Sequence, residues 1–131
     1  MPREGSPWIL AAAIFNFALA LFHVGFWRLF RWPQTLKGSG AVNPFITQVL
    51  NLALTYLFAV AGLLCLFFPG ELAGTALGQF WLLAMAGFWL ARAIIQPIFF
   101  GLGHSLSIVL LVVFTLGAII HGASWFAARG I

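Results

Sequence analysis

The sequence predicts an all-α protein, an integral membrane four-helix bundle with short loops, and three observations predict it. Charged residues make up 6% of the 131-residue chain while 63% of it is hydrophobic. The apolar residues fall into four runs, each long enough to cross a bilayer. The breaks between the runs carry turn and cap chemistry. A soluble domain needs roughly a quarter of its residues charged to wet its surface; six Lys/Arg and two acids cannot do that. A spanning helix takes about 20 mainly apolar residues, because the hydrocarbon core is about 30 Å thick and each residue rises about 1.5 Å. Spans at about 8–30, 44–68, 73–98 and 105–127 therefore consume most of the chain and leave a single membrane domain over 1–131.

The first span opens after Ser6-Pro7, with Ser6 as N-cap and Pro7 at the first helical position, where its missing N–H costs nothing. Its apolar run, Trp8 to Phe30, is too long for a signal core and lacks a small-residue cleavage site, so it reads as a span that stays. A polar stretch from Arg31 to Asn43 follows, with Pro33, Lys37, Gly38, Ser39 and Gly40, and is the longest loop. Asn43-Pro44 opens the second span by the same cap-then-proline logic, and Pro69-Gly70-Glu71 closes it. The third run extends from about Leu72 to Phe100, longer than one membrane thickness. Pro97 either kinks or stops it, so two frames compete, about 72–95 and about 78–100. Gly101-Leu102-Gly103 turns the chain into the fourth span. Gly62, Gly87 and Gly117 are small enough to allow close helix contact.

Four spans put both termini on one side. Trp8, Trp81 and Trp125 then fall towards the terminal side and Trp27 and Trp32 towards the first loop, as the interfacial preference of Trp asks. Arg28, Arg31, Lys37 and Arg92 lie on the first-loop side against Arg3 and Arg129 on the other, which places the first and third loops in the cytoplasm and the termini outside. The expected location is a cytoplasmic-type membrane, the bacterial inner membrane, with multiple passes. The basic excess is scattered over helix ends rather than gathered on a wetted face, so it points to anionic lipid headgroups near Arg28, Arg31 and Lys37 and away from nucleic acid. The echo of Gly25-Phe26-Trp27 in Gly87-Phe88-Trp89 is too short to establish a duplication.

Polar groups that hydrocarbon should exclude carry whatever function the sequence displays. His23 lies about 10 Å from the first-loop end of its span, and Asn51 lies at about the same depth in the second. Gln48 is one turn shallower, and Arg92 and Gln96 lie on the third span towards the same side. Spacing groups them by face: Asn16, Ala20, His23 and Trp27 on the first span, Gln48, Asn51 and Thr55 on the second, Trp89, Arg92 and Gln96 on the third. Trp89, one turn from Arg92, makes a cation–π contact available. The candidate ligand-binding residues are therefore His23, Gln48, Asn51, Arg92 and Gln96, with Trp89 in support. Two roles fit them. They tie helices together by interhelical hydrogen bonds, each worth about 0.6–2 kcal/mol. Alternatively they line a pocket for a small anionic or amphipathic molecule such as a lipid headgroup or quinone, with Arg92 supplying charge.

Other chemistries lack their residues. His23 and His121 fall at different depths and cannot sandwich one haem iron; no carboxylate and cysteine set offers a metal site, and no cofactor is implied. The lone Cys65 reads as a packing residue, and there is no CxxC. No acid lies inside a span, which argues against proton- or sodium-coupled transport. Ser105, Ser107 and Ser124 have no base beside them and read as serines bonded to their own helix, so no catalytic residue is assigned. The function expected is that of a small polytopic, non-catalytic accessory or scaffold protein, as a homo-oligomer or within a larger membrane complex. The alternative is a ligand-binding protein or enzyme built on the polar cluster.

Overall fold

The structure, a computed structural model, describes residues 6–130. Within them the chain forms α1 (Pro7–Val24), α2 (Phe26–Leu29), a short 3-10 turn (Gln34–Leu36), α3 (Asn43–Phe67), α4 (Pro69–Gly74), α5 (Ala76–Phe100) and α6 (Ser105–Ala128), and no strand. Four of these, α1, α3, α5 and α6, are long and apolar enough to cross a membrane.

Two boundaries differ from the sequence reading, and at a third the structure follows one of the two frames left open, about 78–100. The first span is interrupted at Gly25, which separates α1 from the single turn of α2. Pro97 neither stops nor ends the third helix, which runs one turn beyond it to Phe100. Pro97 has no N–H to offer the Ala93 carbonyl and costs the helix that one rung, and Gly101, with a positive φ of 67°, then closes the helix by donating its N–H to the Pro97 carbonyl. The residues ahead of that helix form α4, a separate turn of helix. The expected side-chain caps at Ser6 and Asn43 do not form. Ser6 accepts the Ile9 N–H through its backbone carbonyl, and the Asn43 amide donates to the Ser39 carbonyl while Val42 accepts from Phe45 and Ile46.

The chain divides into two compact units: residues 13–64, and the described residues 6–12 together with 65–130. In the first, α1 and α3 approach closely at Gly62. A Cβ there would come within 2.7 Å of the Phe17 ring.

In the second unit, α5 lies along α6, and α4 touches both. Leu82, Trp89, Ala93 and Gln96 form the buried face of α5, and Ser107, Phe114, His121 and Ala128 recur every seven residues on the buried face of α6. The Trp89 and Phe114 rings stack, with centroids 5.7 Å apart and planes 18° from parallel. The α4–α5 junction is held by Thr75. Its hydroxyl accepts the Gly78 N–H at 2.9 Å and donates to the Glu71 carbonyl at 2.7 Å. Gly78 is required by close approach, since a Cβ would collide with the Glu71 carbonyl oxygen and with Leu72 backbone atoms. By contrast Gly87, expected at a helix contact, faces open space among the described residues.

Many large apolar side chains are exposed, and several polar side chains join a largely apolar core. Leu77 is 78% exposed and Phe99 76%, while Asn16, His121 and Ser124 are fully buried.

Candidate functional site

In the 13–64 unit the sequence-predicted residues His23, Gln48 and Asn51 are drawn together by the ends of α1 and α3. A helix leaves its last four carbonyls without intrahelical donors. His23 lies in the last turn of α1, and the Asn51 side-chain amide donates to its carbonyl at 2.7 Å. Asn51 thus pairs with a carbonyl beside the local irregularity at Gly25. The His23 ring turns back on its own helix, where Nδ1 donates to the Leu19 carbonyl at 2.7 Å. The ring stacks on Phe26, with centroids 4.5 Å apart, and packs 5.0 Å from Phe58. Gln48 accepts the indole N–H of Trp27 at 3.0 Å, and its own amide donates to the Pro44 carbonyl at 2.9 Å. Trp27, read from the sequence as an interfacial residue, is therefore also a tie between α2 and α3.

Trp89, Arg92 and Gln96 lie in the other unit, on α5. The Gln96 amide nitrogen donates to the Ser107 hydroxyl at 3.0 Å, and that hydroxyl donates to the Gly101 carbonyl at 2.6 Å. This relay fastens α5, the tight turn and α6 into one hairpin. Ser107 departs from the expectation of a serine bonded to its own helix. Ser124, which donates to the Ile120 carbonyl at 2.8 Å, conforms to it.

Arg92 makes its cation–π contact with Phe114. The guanidinium carbon lies 4.4 Å from the Phe114 centroid and 5.9 Å from that of Phe100. Trp89 supports this indirectly by stacking on Phe114. Two buried polar atoms here have no hydrogen-bond partner among the described residues, Nη1 of Arg92 and Oε1 of Gln96. They are a donor and an acceptor one turn apart on one helix face.

Sequence reasoning missed Ser107, Phe114 and Trp27 as partners. Gln96 and Ser107 are 11 residues apart across a turn, and helical spacing within one span does not reveal such a pair.

The histidines of the apolar helices α1 and α6 behave alike. His121 Nδ1 donates to the Gly117 carbonyl at 2.7 Å, as His23 does to Leu19. Each ring is oriented by its own helix, as a structural histidine would be. No three His, Cys, Asp or Glu side chains cluster among the described residues.

Arg28, Arg31 and Lys37, the candidate lipid contacts, are all exposed. Arg28 and Arg31 line an open groove of about 540 Å³ with Trp27, Gln34 and Thr35. No known protein family, curated protein or solved structure matches the chain.

Proposed function

We propose that the chain is a multi-pass integral membrane protein with a non-catalytic role, an accessory or scaffold subunit of a cytoplasmic-type membrane such as the bacterial inner membrane. The observation that carries this reading is where the polar side chains are spent. Asn51 pairs with the His23 carbonyl, Gln48 holds Trp27, and Gln96 ties the α5–α6 turn through Ser107. In hydrocarbon an unpaired polar group is costly, so such bonds fix helix positions. The exposure of Leu21, Leu77, Ile98 and Phe99 supports lipid as the solvent. In this reading Arg28, Arg31 and Lys37 face the cytoplasm and the termini lie outside, in keeping with the positive-inside bias. The apolar surface left over suits association with a second copy or a larger membrane complex.

Native mass spectrometry of the chain extracted from membranes in polymer nanodiscs tests this. The expected result is an assembly heavier than one chain with no stoichiometric non-lipid molecule. A monomer carrying one equivalent of a quinone would overturn it.

One observation favours a second reading. The unpartnered Nη1 of Arg92 and Oε1 of Gln96 would suit a small anionic or amphipathic molecule that both accepts and donates a hydrogen bond. Under that reading Arg92→Ala remains folded and loses the molecule in the same measurement. Equal retention by both proteins counts against it.

A further inference from the structure

We infer that the groove between Arg28 and Arg31 is a discrete binding site for the phosphate headgroup of an anionic phospholipid. The inference rests on the membrane-spanning reading above and adds to it a site with a defined occupant.

The groove begins in the way α2 ends. Trp32 donates its N–H to the carbonyl of Trp27, five residues back, at 3.0 Å. Arg31, between the helix cap Phe30 and Trp32, has a φ of 54°. This is the six-to-one bond of a Schellman-type helix end, with the customary apolar contact supplied by the Trp27 and Trp32 rings, whose centroids are 5.6 Å apart. The left-handed position is one that glycine fills without strain and that a side chain bearing a Cβ fills at a cost. Here it holds an arginine. Backbone strain accompanied by a charged side chain at the mouth of a groove points to a task for that side chain.

The walls are fixed in advance. Thr35 donates its hydroxyl to the Phe30 carbonyl at 2.6 Å. The Gln34 amide nitrogen, in the orientation its surroundings favour, donates to the Arg31 and Trp32 carbonyls at 2.9 and 3.2 Å. Trp27 is held by Gln48. A volume of about 540 Å³ is within the range of small-molecule sites, roughly 300–1,000 Å³.

Charge selects the occupant. Residues 13–64 include Arg28, Arg31 and Lys37 and no Asp or Glu, so no carboxylate within this unit neutralises them. Two guanidinium forks match the oxygens of a phosphate. Nothing acidic in the unit attracts the ammonium of a zwitterionic headgroup. A lipid rather than a free anion is indicated by the surface below the groove. Leu21, Val24 and Arg28 follow at i, i+3 and i+7 along the nearly continuous α1–α2 helix. Leu21 and Val24 are 73% and 56% exposed, an apolar track for an acyl chain beneath a charged head.

The test uses the full chain in nanodiscs of equimolar phosphatidylglycerol and phosphatidylcholine, with retained lipid counted by native mass spectrometry. Wild type should keep one phosphatidylglycerol in preference to phosphatidylcholine. Arg31→Gly relieves the left-handed strain and so preserves the turn, yet should lower that preference about fivefold, as should Arg28→Gln. Lys37→Gln, outside the groove, should change it little. Equal losses at positions 28, 31 and 37, or no preference in wild type, would overturn the site, as would displacement of the retained lipid by millimolar inorganic phosphate. Alkaline extraction of membranes separates the two claims: a chain that stays in the pellet but shows no lipid preference refutes this inference and leaves the membrane reading standing.

Discussion

Cutting the relay at the α5–α6 turn from its two ends should give unequal results. Gln96 is 1% exposed; its nitrogen is paired with Ser107 and its oxygen has no partner among the described residues. Replacing it with leucine removes one hydrogen bond but also removes an unpaired buried acceptor. Because losing an unsatisfied group offsets losing a bond, Gln96→Leu should change stability by less than about 1 kcal/mol, in either direction. Ser107→Ala takes away the partner and leaves both the buried Gln96 amide nitrogen and the Gly101 carbonyl stranded. The Gly101 backbone is exposed and can be rehydrated, so the cost falls mainly on the amide, at about 1–2 kcal/mol. In the double variant the cost of Ser107→Ala should shrink by about 0.6–1.7 kcal/mol, the range found for interhelical bonds in membranes. Reversible unfolding in mixed micelles, followed by far-ultraviolet circular dichroism, measures all three. If Gln96→Leu proves the costlier single change, its oxygen has a partner that the chain does not supply, and the packing role assigned to it is wrong.

Further expectations follow from particular contacts. Gly78→Ala drives a methyl group into the α4 backbone and should destabilise the 65–130 unit by about 1–3 kcal/mol or more, seen as a lowered unfolding midpoint. Gly62→Ala meets the Phe17 ring rather than backbone, so it should cost less than Gly78→Ala in the same assay, and Phe17→Leu should relieve it. Asn51→Leu strands the His23 carbonyl at the end of α1 and should cost about 1–3 kcal/mol, with faster hydrogen exchange at positions 23–29. Phe114→Leu removes the ring beneath the Arg92 guanidinium and beside Trp89; it should cost about 0.5–2 kcal/mol from the cation–π contact, and more if the lost stacking with Trp89 is not repacked.

Much of the helix framework was legible in the sequence because hydropathy and helix length are local properties. The ends of α3 and α6 fall within a residue or two of the reading from Asn43-Pro44, Pro69-Gly70 and Gly101-Gly103. Pro97 was ambiguous because a proline either ends a helix or is accommodated within it at the loss of one hydrogen bond to the turn before it, and local sequence does not decide between them. Gly25 was hidden because glycine in an apolar run carries no signal of a break. The face of α5 was readable from periodicity, and Trp89 and Gln96 are indeed buried. Their partners were not readable. Phe114 beneath Arg92 and Ser107 beside Gln96 are set by the register of α5 against α6, which no single-helix pattern encodes. The same holds for Arg31, whose left-handed conformation depends on how α2 terminates rather than on its own residue type.

The central claim is that the four long helices cross a bilayer in alternation, with polar side chains spent on holding them. With the buried Cys65 replaced by alanine, single cysteines at the exposed positions Lys37, Glu71, Leu102 and Arg129 can be labelled by a membrane-impermeant maleimide in sealed vesicles of known orientation. Positions 37 and 102 should react from one face, and 71 and 129 only from the other. Reaction of positions 37 and 71 from the same face would mean that α3 does not cross the membrane, and the account would fail at its first step.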